Sequence, residues 1–487
     1  MKIKWFNLLV SVSLLLTAAV PMAGGVAAGA ASTVAPFLKI GPQAVPVDVT
    51  ADASPDQVLF TCQLGEIPGV ICYDPFQMRH AYGIDNLISA GFTGAGRTIV
   101  IVDAFQSPTL ESDLDTFDGN YGLPDRSTFF TQVAPDGLTP FDSTDPNQVG
   151  WSQEITLDVE WAHAIAPGAK IVLDLAKTND DADILSATKY AVTKHLGDVI
   201  SQSFGENESC VDPTLLKNEH ALFVQATLKH ITLLASSGDE GAAQQTCDEN
   251  SWVQAASSPA SDPLVTAVGG TELHAADYCL TTLGCDPTAN PAPGTYEDEI
   301  AWNEFDSIST GGGFSVLYRS PLFQHLVTRS KQRGVPDVAY NAAVYHGVLV
   351  AYDGDWWLFG GTSCGSPQWA GIVAIADQKA HRSLGFINWA LYLYSLSPTK
   401  YASLFHDVTS GNNSVTELDA SNNPVSVTGF DATTGWDATT GLGSPFADKL
   451  VSFLTKYTSD QDSKQVITDS TPSPVSGSSR HHFLDPH

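Results

Sequence analysis

The chain has 487 residues, enough for one large or two medium domains. Its 23 Lys plus Arg against 54 Asp plus Glu leave a formal net charge of -31, which repels nucleic acid and anionic membrane surfaces at neutral pH and excludes roles that depend on them. At low pH many of these carboxylates are neutral and self-repulsion falls, a pattern that suits an acid environment.

Residues 1–31 read as a secretory signal: Lys2 and Lys4, an apolar segment from Leu8 to Val20, then small residues through Ala31. The apolar segment is short for a membrane span. No second long apolar run follows, so the mature chain is expected to be secreted, extracellular, free of the membrane and monomeric. Residues 32–72, rich in Ala, Pro, Val and Asp with little periodicity, read as a short extended N-terminal arm. Residues 458–487, polar and rich in Ser, Asp and Pro, read as a disordered tail. Seven cysteines in an exported chain suggest disulfides plus one left over. Cys62 with Cys72 and Cys279 with Cys285 close small loops. Cys210 with Cys247 is the third pairing, and Cys364 remains a free thiol.

From Tyr73 onward the pattern firms. The spacing of Met78, Ala81, Tyr82, Ile84, Leu87 and Ile88 predicts a helix broken at Gly83. Thr98 to Asp103 is a β-branched run of the kind a buried parallel strand uses. A helix is expected over 109–117, a polar loop over 125–150, and a helix over 152–165 that Pro167-Gly168 ends. Strands over 170–175, 198–204, 231–235 and 264–270 alternate with helices over 180–195 and 213–229. Such alternation predicts an α/β fold, a mostly parallel central sheet with helices on both faces. Functional groups then gather beyond the C-terminal strand ends, where Asp103, Ser203, Asp239 and Ser363 all fall.

Trp356 to Phe359 reads as a strand, followed by Gly360, Gly361 and an apolar helical pattern from Pro367. Ser363 thus sits where a strand turns into a helix, a candidate nucleophile if the chain supplies a base. None of the thirteen histidines is a convincing partner. His163 shares a helix with Glu154 but lies away from its face. Glu154 and Asp158, four residues apart on that helix, project from one side. Below about pH 5 histidine is protonated, while a carboxylate near its own pKa of about 4 still accepts a proton. Asp239, kept neutral, could donate to an oxyanion. Taken singly, these residues also suit blander roles: a helix cap, a solvated helix face, a turn aspartate.

Four segments carry a resemblance: WSQEITLDVEWAHAIAPGAK, VISQSFGENE, ASSGDEGA and GGTSCGSPQWAG. With YDPFQMRHAYGIDNL, GRTIVIVDAF, AWNEFDSISTGGGFS and GWDATTGLGSP in order, residues 73–457 resemble the sedolisin family of serine-carboxyl peptidases. The resemblance implies a subtilisin-like fold, protein or peptide substrates, and endopeptidase or tripeptidyl-peptidase activity at acid pH. It implies Ser363 as nucleophile, Glu154 as general base and acid, Asp158 as the residue orienting Glu154, and Asp239 as oxyanion donor. Asp103 matches an acidic position that extends the network behind the base. It also implies a Ca2+ ion held by the carboxylates of Asp407 and Asp437 and the carbonyls of Val408, Thr433 and Gly435.

There are departures. Thr433 replaces a common glycine, and Phe204 stands where many members have tryptophan. The family's large folded prosegment has no counterpart in the roughly forty residues between signal and Tyr73. The chain then folds unaided, is helped in trans, or has an arm that itself blocks the cleft. Two other readings are an Asp103-His163-Ser363 triad of subtilisin type, and a secreted binding protein that kept the scaffold without catalysis.

Overall fold

Seven strands form the path of the central sheet, in the order Tyr296–Ala301, Thr266–Ala275, Thr232–Ser236, Val199–Gln202, Thr98–Ala104, Lys170–Ala176 and Phe130–Val133. An eighth, Val338–Asn341, also pairs with Thr266–Ala275. All these pairings are parallel except that of Tyr296–Ala301 at one edge. The computed structural model that defines this fold describes residues 33–37, 39–47, 58–65, 67–280, 285–286 and 288–456. The expected signal over 1–31 and tail over 458–487 lie outside the described residues. The described residues, arm included, belong to one unit spanning Ser32–His487.

The central strands are apolar without alternation because helices cover both faces. Ile99, Val100, Ile101 and Val102 are all fully buried. Two helices are buried nearly all round: Pro146–Ile165 and Gly365–Ala380. They cross closely, since a Cβ on Gly371 would lie 2.7 Å from Cγ2 of Ile165. Only glycine permits that approach. The helix predicted over 152–165 starts earlier than its apolar pattern. Asp145 caps it by accepting from the amide of Asn147, and Pro146 fills its first position. The strand predicted over 264–270 runs on to Ala275 because it pairs with Tyr296–Ala301.

A second sheet of four strands, in the order Lys39–Gln43, Asp355–Gly360, His346–Tyr352 and Ile71–Tyr73, joins the arm to the strand before Ser363. The disulfides are Cys62–Cys72, Cys210–Cys247 and Cys279–Cys285, with Cys364 free and buried, as the spacing suggests.

Candidate active site

Ser363 lies in a tight turn, Thr362–Cys364, between the strand Asp355–Gly360 and the helix Gly365–Ala380. The turn needs its two glycines. Gly361 has φ of 97°, and a Cβ on Gly360 would lie 2.7 Å from the Ala342 carbonyl. This strand belongs to the second sheet, so Ser363 approaches the rim of the central sheet from another layer. Asp103 ends a central strand, and Ser203 and Asp239 follow two others. Ser363 is fully buried, and its hydroxyl donates to the Ser203 carbonyl at 3.3 Å.

Glu154 and Asp158 project from one face of the helix Pro146–Ile165, and both are fully buried. Ser203 directs its hydroxyl at Asp158, 2.7 Å from Oδ2 and 3.0 Å from Oδ1. Burial pushes the Asp158 carboxyl up to about 7, partly offset by the Ser203 hydroxyl, while neither oxygen of Glu154 has a hydrogen-bond partner among the described residues. Burial pushes Glu154 well above the usual range too. The charges of Asp158 and Asp103 add to this, while the Ser363 hydroxyl favours the ionised form. Asp103 has no hydrogen-bond partner for either oxygen among the described residues, and burial followed by the charge of Asp158 raises it strongly. Three acids packed together without a cation cannot all be ionised, so they hold protons in common.

Asp239 is anchored by one oxygen. Its Oδ1 accepts from the Thr362 amide at 2.8 Å and the Thr362 hydroxyl at 2.9 Å, while its buried Oδ2 has no partner among the described residues. Burial pushes this carboxyl up to about 7, against the pull of Lys39. Lys39 itself pairs with Glu240 at 3.1 Å.

His163 is elsewhere. Its Nε2 lies 3.2 Å from the Pro124 carbonyl, its ring stacks on Phe129 at 3.6 Å, and burial lowers its pKa to about 3. Among the described residues, the arrangement at Ser363 is therefore a serine with carboxyl groups and without His163, which corrects the reading of an Asp103-His163-Ser363 triad.

The chain is 33% identical over 354 residues to kumamolisin of Bacillus sp. (strain MN-32), a match covering 70% of this chain and 58% of that protein. It is 30% identical over 401 residues to xanthomonalisin of Xanthomonas sp. (strain T-22), covering 74% of this chain and 44% of the other. The solved structure of Pseudomonas sedolisin, a serine-carboxyl proteinase complexed with two molecules of pseudo-iodotyrostatin, superposes with a TM-score of 0.65 at 28% identity. That match covers 80% of this chain and 99% of the solved one. The chain belongs to the sedolisin family. No protein-family model matches it. The chain spans about half the length of these two curated relatives.

The subsite for a cation is tested by its oxygens. In this sedolisin-family chain, Asp407 and Asp437 come together through the loop 433–437. Asp407 Oδ1 accepts from the Gly435 amide at 3.0 Å and the Tyr401 hydroxyl at 2.8 Å, and Asp437 Oδ2 accepts from the Thr433 amide at 2.8 Å. Both carboxylates act on Tyr401, so they are near neighbours. Neither pairs with Lys, Arg or His among the described residues. Two neighbouring carboxylates with no basic side chain paired to them among the described residues are oxygen donors of the kind a hard cation takes. A separate surface cluster, Glu272, His274 and His346, brings mixed ligand atoms within 4.8 Å of one another and is not part of that set.

Sequence reasoning missed the part played by four residues. Ser203 was visible as a strand-end serine, but not as the donor to Asp158. Thr362, beside the nucleophile, holds Asp239 from across the cleft. Phe37 and Lys39 belong to an arm with no periodic signal, yet they lie against the site.

Proposed function

We propose that this chain is a secreted, acid-acting serine-carboxyl peptidase that cleaves proteins or peptides through an acyl-enzyme. The observation that carries this reading is the burial of Glu154, Asp158 and Asp103 beside Ser363, with His163 held away at the Pro124 carbonyl. Ser363 Oγ attacks the substrate carbonyl while Glu154 takes its proton. Asp158, held by Ser203, shares a proton with Glu154, so the pair accepts one more without building up charge. Asp239, protonated below about pH 7, donates through the free Oδ2 to the oxyanion, and the Ser363 amide is the second donor. Glu154 returns the proton to the leaving amine, and water then releases the acyl group by the reverse path.

A Ca2+ ion held by Asp407, Asp437 and the carbonyls of Val408, Thr433 and Gly435 would tie two loops together and take no part in proton transfer. Export is supported by the three disulfides. Among the described residues, no helix is long and apolar enough to cross a membrane.

The experiment is hydrolysis of a denatured protein at about pH 4. Ser363→Ala and Glu154→Ala are each expected to abolish turnover while keeping the native melt. Undiminished turnover in either variant would end the assignment.

A further inference from the structure

Two histidines and a glutamate converge where the two sheets meet. Glu272 and His274 are two residues apart on the strand Thr266–Ala275, so both side chains leave the same face. His346 opens the strand His346–Tyr352 of the second sheet. His274 Nε2 lies 3.2 Å from Glu272 Oε1, and His346 Nδ1 lies 3.6 Å from that same oxygen. One ligand atom from each of the three residues lies within 4.8 Å of the other two. A tetrahedral zinc ion with bonds of about 2.0–2.1 Å sets its ligand atoms about 3.3 Å apart, so two edges of such a site are already close to size.

The surroundings hold these groups in place. His274 Nδ1 lies 2.5 Å from Oδ1 of Asp298, its partner across the ladder. A carboxylate accepts, so Nδ1 carries the proton and the neutral ring turns the lone pair of Nε2 toward Glu272. Two lone pairs facing at 3.2 Å need a positive charge between them, either a proton or a metal ion. A carboxylate behind the imidazole is also what orients a histidine ligand and raises its basicity. His346 is framed by buried Asn341, which donates from Nδ2 to the His346 carbonyl at 2.8 Å and accepts the Leu273 amide at 3.0 Å. The Leu273 carbonyl, 3.1 Å from His346 Nδ1, already accepts from the Tyr73 hydroxyl at 2.8 Å, so that ring nitrogen can turn to an ion. The buried Oδ1 of Asp277 has no hydrogen-bond partner among the described residues, and Asp277 is near enough to His346 to feel its charge. The side chains of Glu272, His274 and His346 keep 20%, 32% and 15% exposure, which lets an ion enter from solvent.

We infer that Glu272, His274 and His346 bind one divalent transition-metal ion of the zinc kind, with water completing its shell. Two imidazole nitrogens and one carboxylate oxygen suit such an ion, whereas calcium takes oxygen throughout. The ion ties the strand Thr266–Ala275 of the central sheet to His346–Tyr352 of the second sheet. The next strand of that second sheet, Asp355–Gly360, leads into Ser363, so the ion braces the layer that carries the serine.

The test needs no hydrolysis, so it stands apart from the peptidase reading. The full chain, stripped with chelator and returned to excess calcium, is titrated with Zn2+ at about pH 7.5, where imidazole is neutral. Calorimetry is expected to show one equivalent of zinc that depends on the cluster, and the melting temperature to rise with zinc but not with further calcium. His274→Ala and His346→Ala are each expected to weaken binding at least about 100-fold, and Asp298→Asn, which reaches the ion only through His274, about tenfold. A native-like melt in chelator shows that each variant is folded. The sequence also carries the pair His481 and His482, and replacing both with Ala is expected to leave the equivalent in place. Zinc binding that survives His274→Ala and His346→Ala, or that is lost with the pair at 481 and 482, overturns the inference. So does the lack of any stoichiometric equivalent, which would leave a protonated His274 as the group between Glu272 and Asp298.

Discussion

One oxygen of Asp239 is held by the amide and hydroxyl of Thr362, and the other has no partner among the described residues, so what the side chain offers a substrate depends on its proton. Burial lifts its pKa to about 7, so it is a donor in acid and loses that capacity as pH rises through neutrality. Asp239→Asn keeps a donor that does not titrate. The expected result is a lower kcat with a flattened alkaline limb in the pH–rate profile; an unchanged limb would assign that limb to another group. Ser203 acts one step back from the chemistry, through its two contacts with Asp158. Ser203→Ala removes the hydrogen bonds that favour the Asp158 charge, so the acid limb of the profile is expected to move to higher pH, with KM little changed. Of these residues, Glu154, Asp158, Asp239 and Ser363 are candidates in the sequence by their places in a strand, turn or helix, and their roles come there from the family resemblance. The roles of Ser203 and Thr362 are not legible there, since they depend on contacts 45 and 123 residues away along the chain.

Elements with strong periodicity were legible: the buried strands and the helices that alternate with them follow the apolar pattern. Boundaries set by caps and pairing were less so. The helix Pro146–Ile165 begins in a stretch that reads as polar loop, because Asp145 and Pro146 start it before any apolar residue appears. The strand before Ser363 was found, but its membership of a second sheet was not, since pairing partners leave no local trace. The arm is the extreme case. Its conformation comes from Phe204–Asn207 and Asp355–Gly360, not from its own sequence. At the helix crossing, Gly371 leaves no room for a side chain against Ile165. Gly371→Val is expected to cost about 1–3 kcal/mol, read by urea denaturation. A neutral result would mean that the two helices can separate freely.

Across the whole molecule, buried acids dominate the response to pH. Burial lifts Asp118 and Glu219 to about 8, and Asp174 and Asp158 to about 7. Unfolded carboxyls titrate near 4, so between about pH 4 and pH 8 the folded chain binds more protons than the unfolded one. Stability therefore falls as pH rises through that window. The melting temperature is expected to be higher at pH 4 than at pH 8, the reverse of proteins that rely on ionised, paired carboxylates. Removing calcium with a chelator is expected to lower the melting temperature, and Asp437→Asn to lower it without chelator and abolish the further shift. An identical melt with and without chelator would remove the cation from the account.

The central claim is that a carboxyl group, and not an imidazole, takes the proton from Ser363. Its most direct test is the pH dependence of kcat/KM in the native chain, Glu154→Gln and His163→Gln. The account predicts an acid optimum, a loss of at least about 100-fold in Glu154→Gln, and an unchanged optimum in His163→Gln. A folded His163→Gln enzyme without activity, beside a Glu154→Gln enzyme that keeps it, would contradict the account.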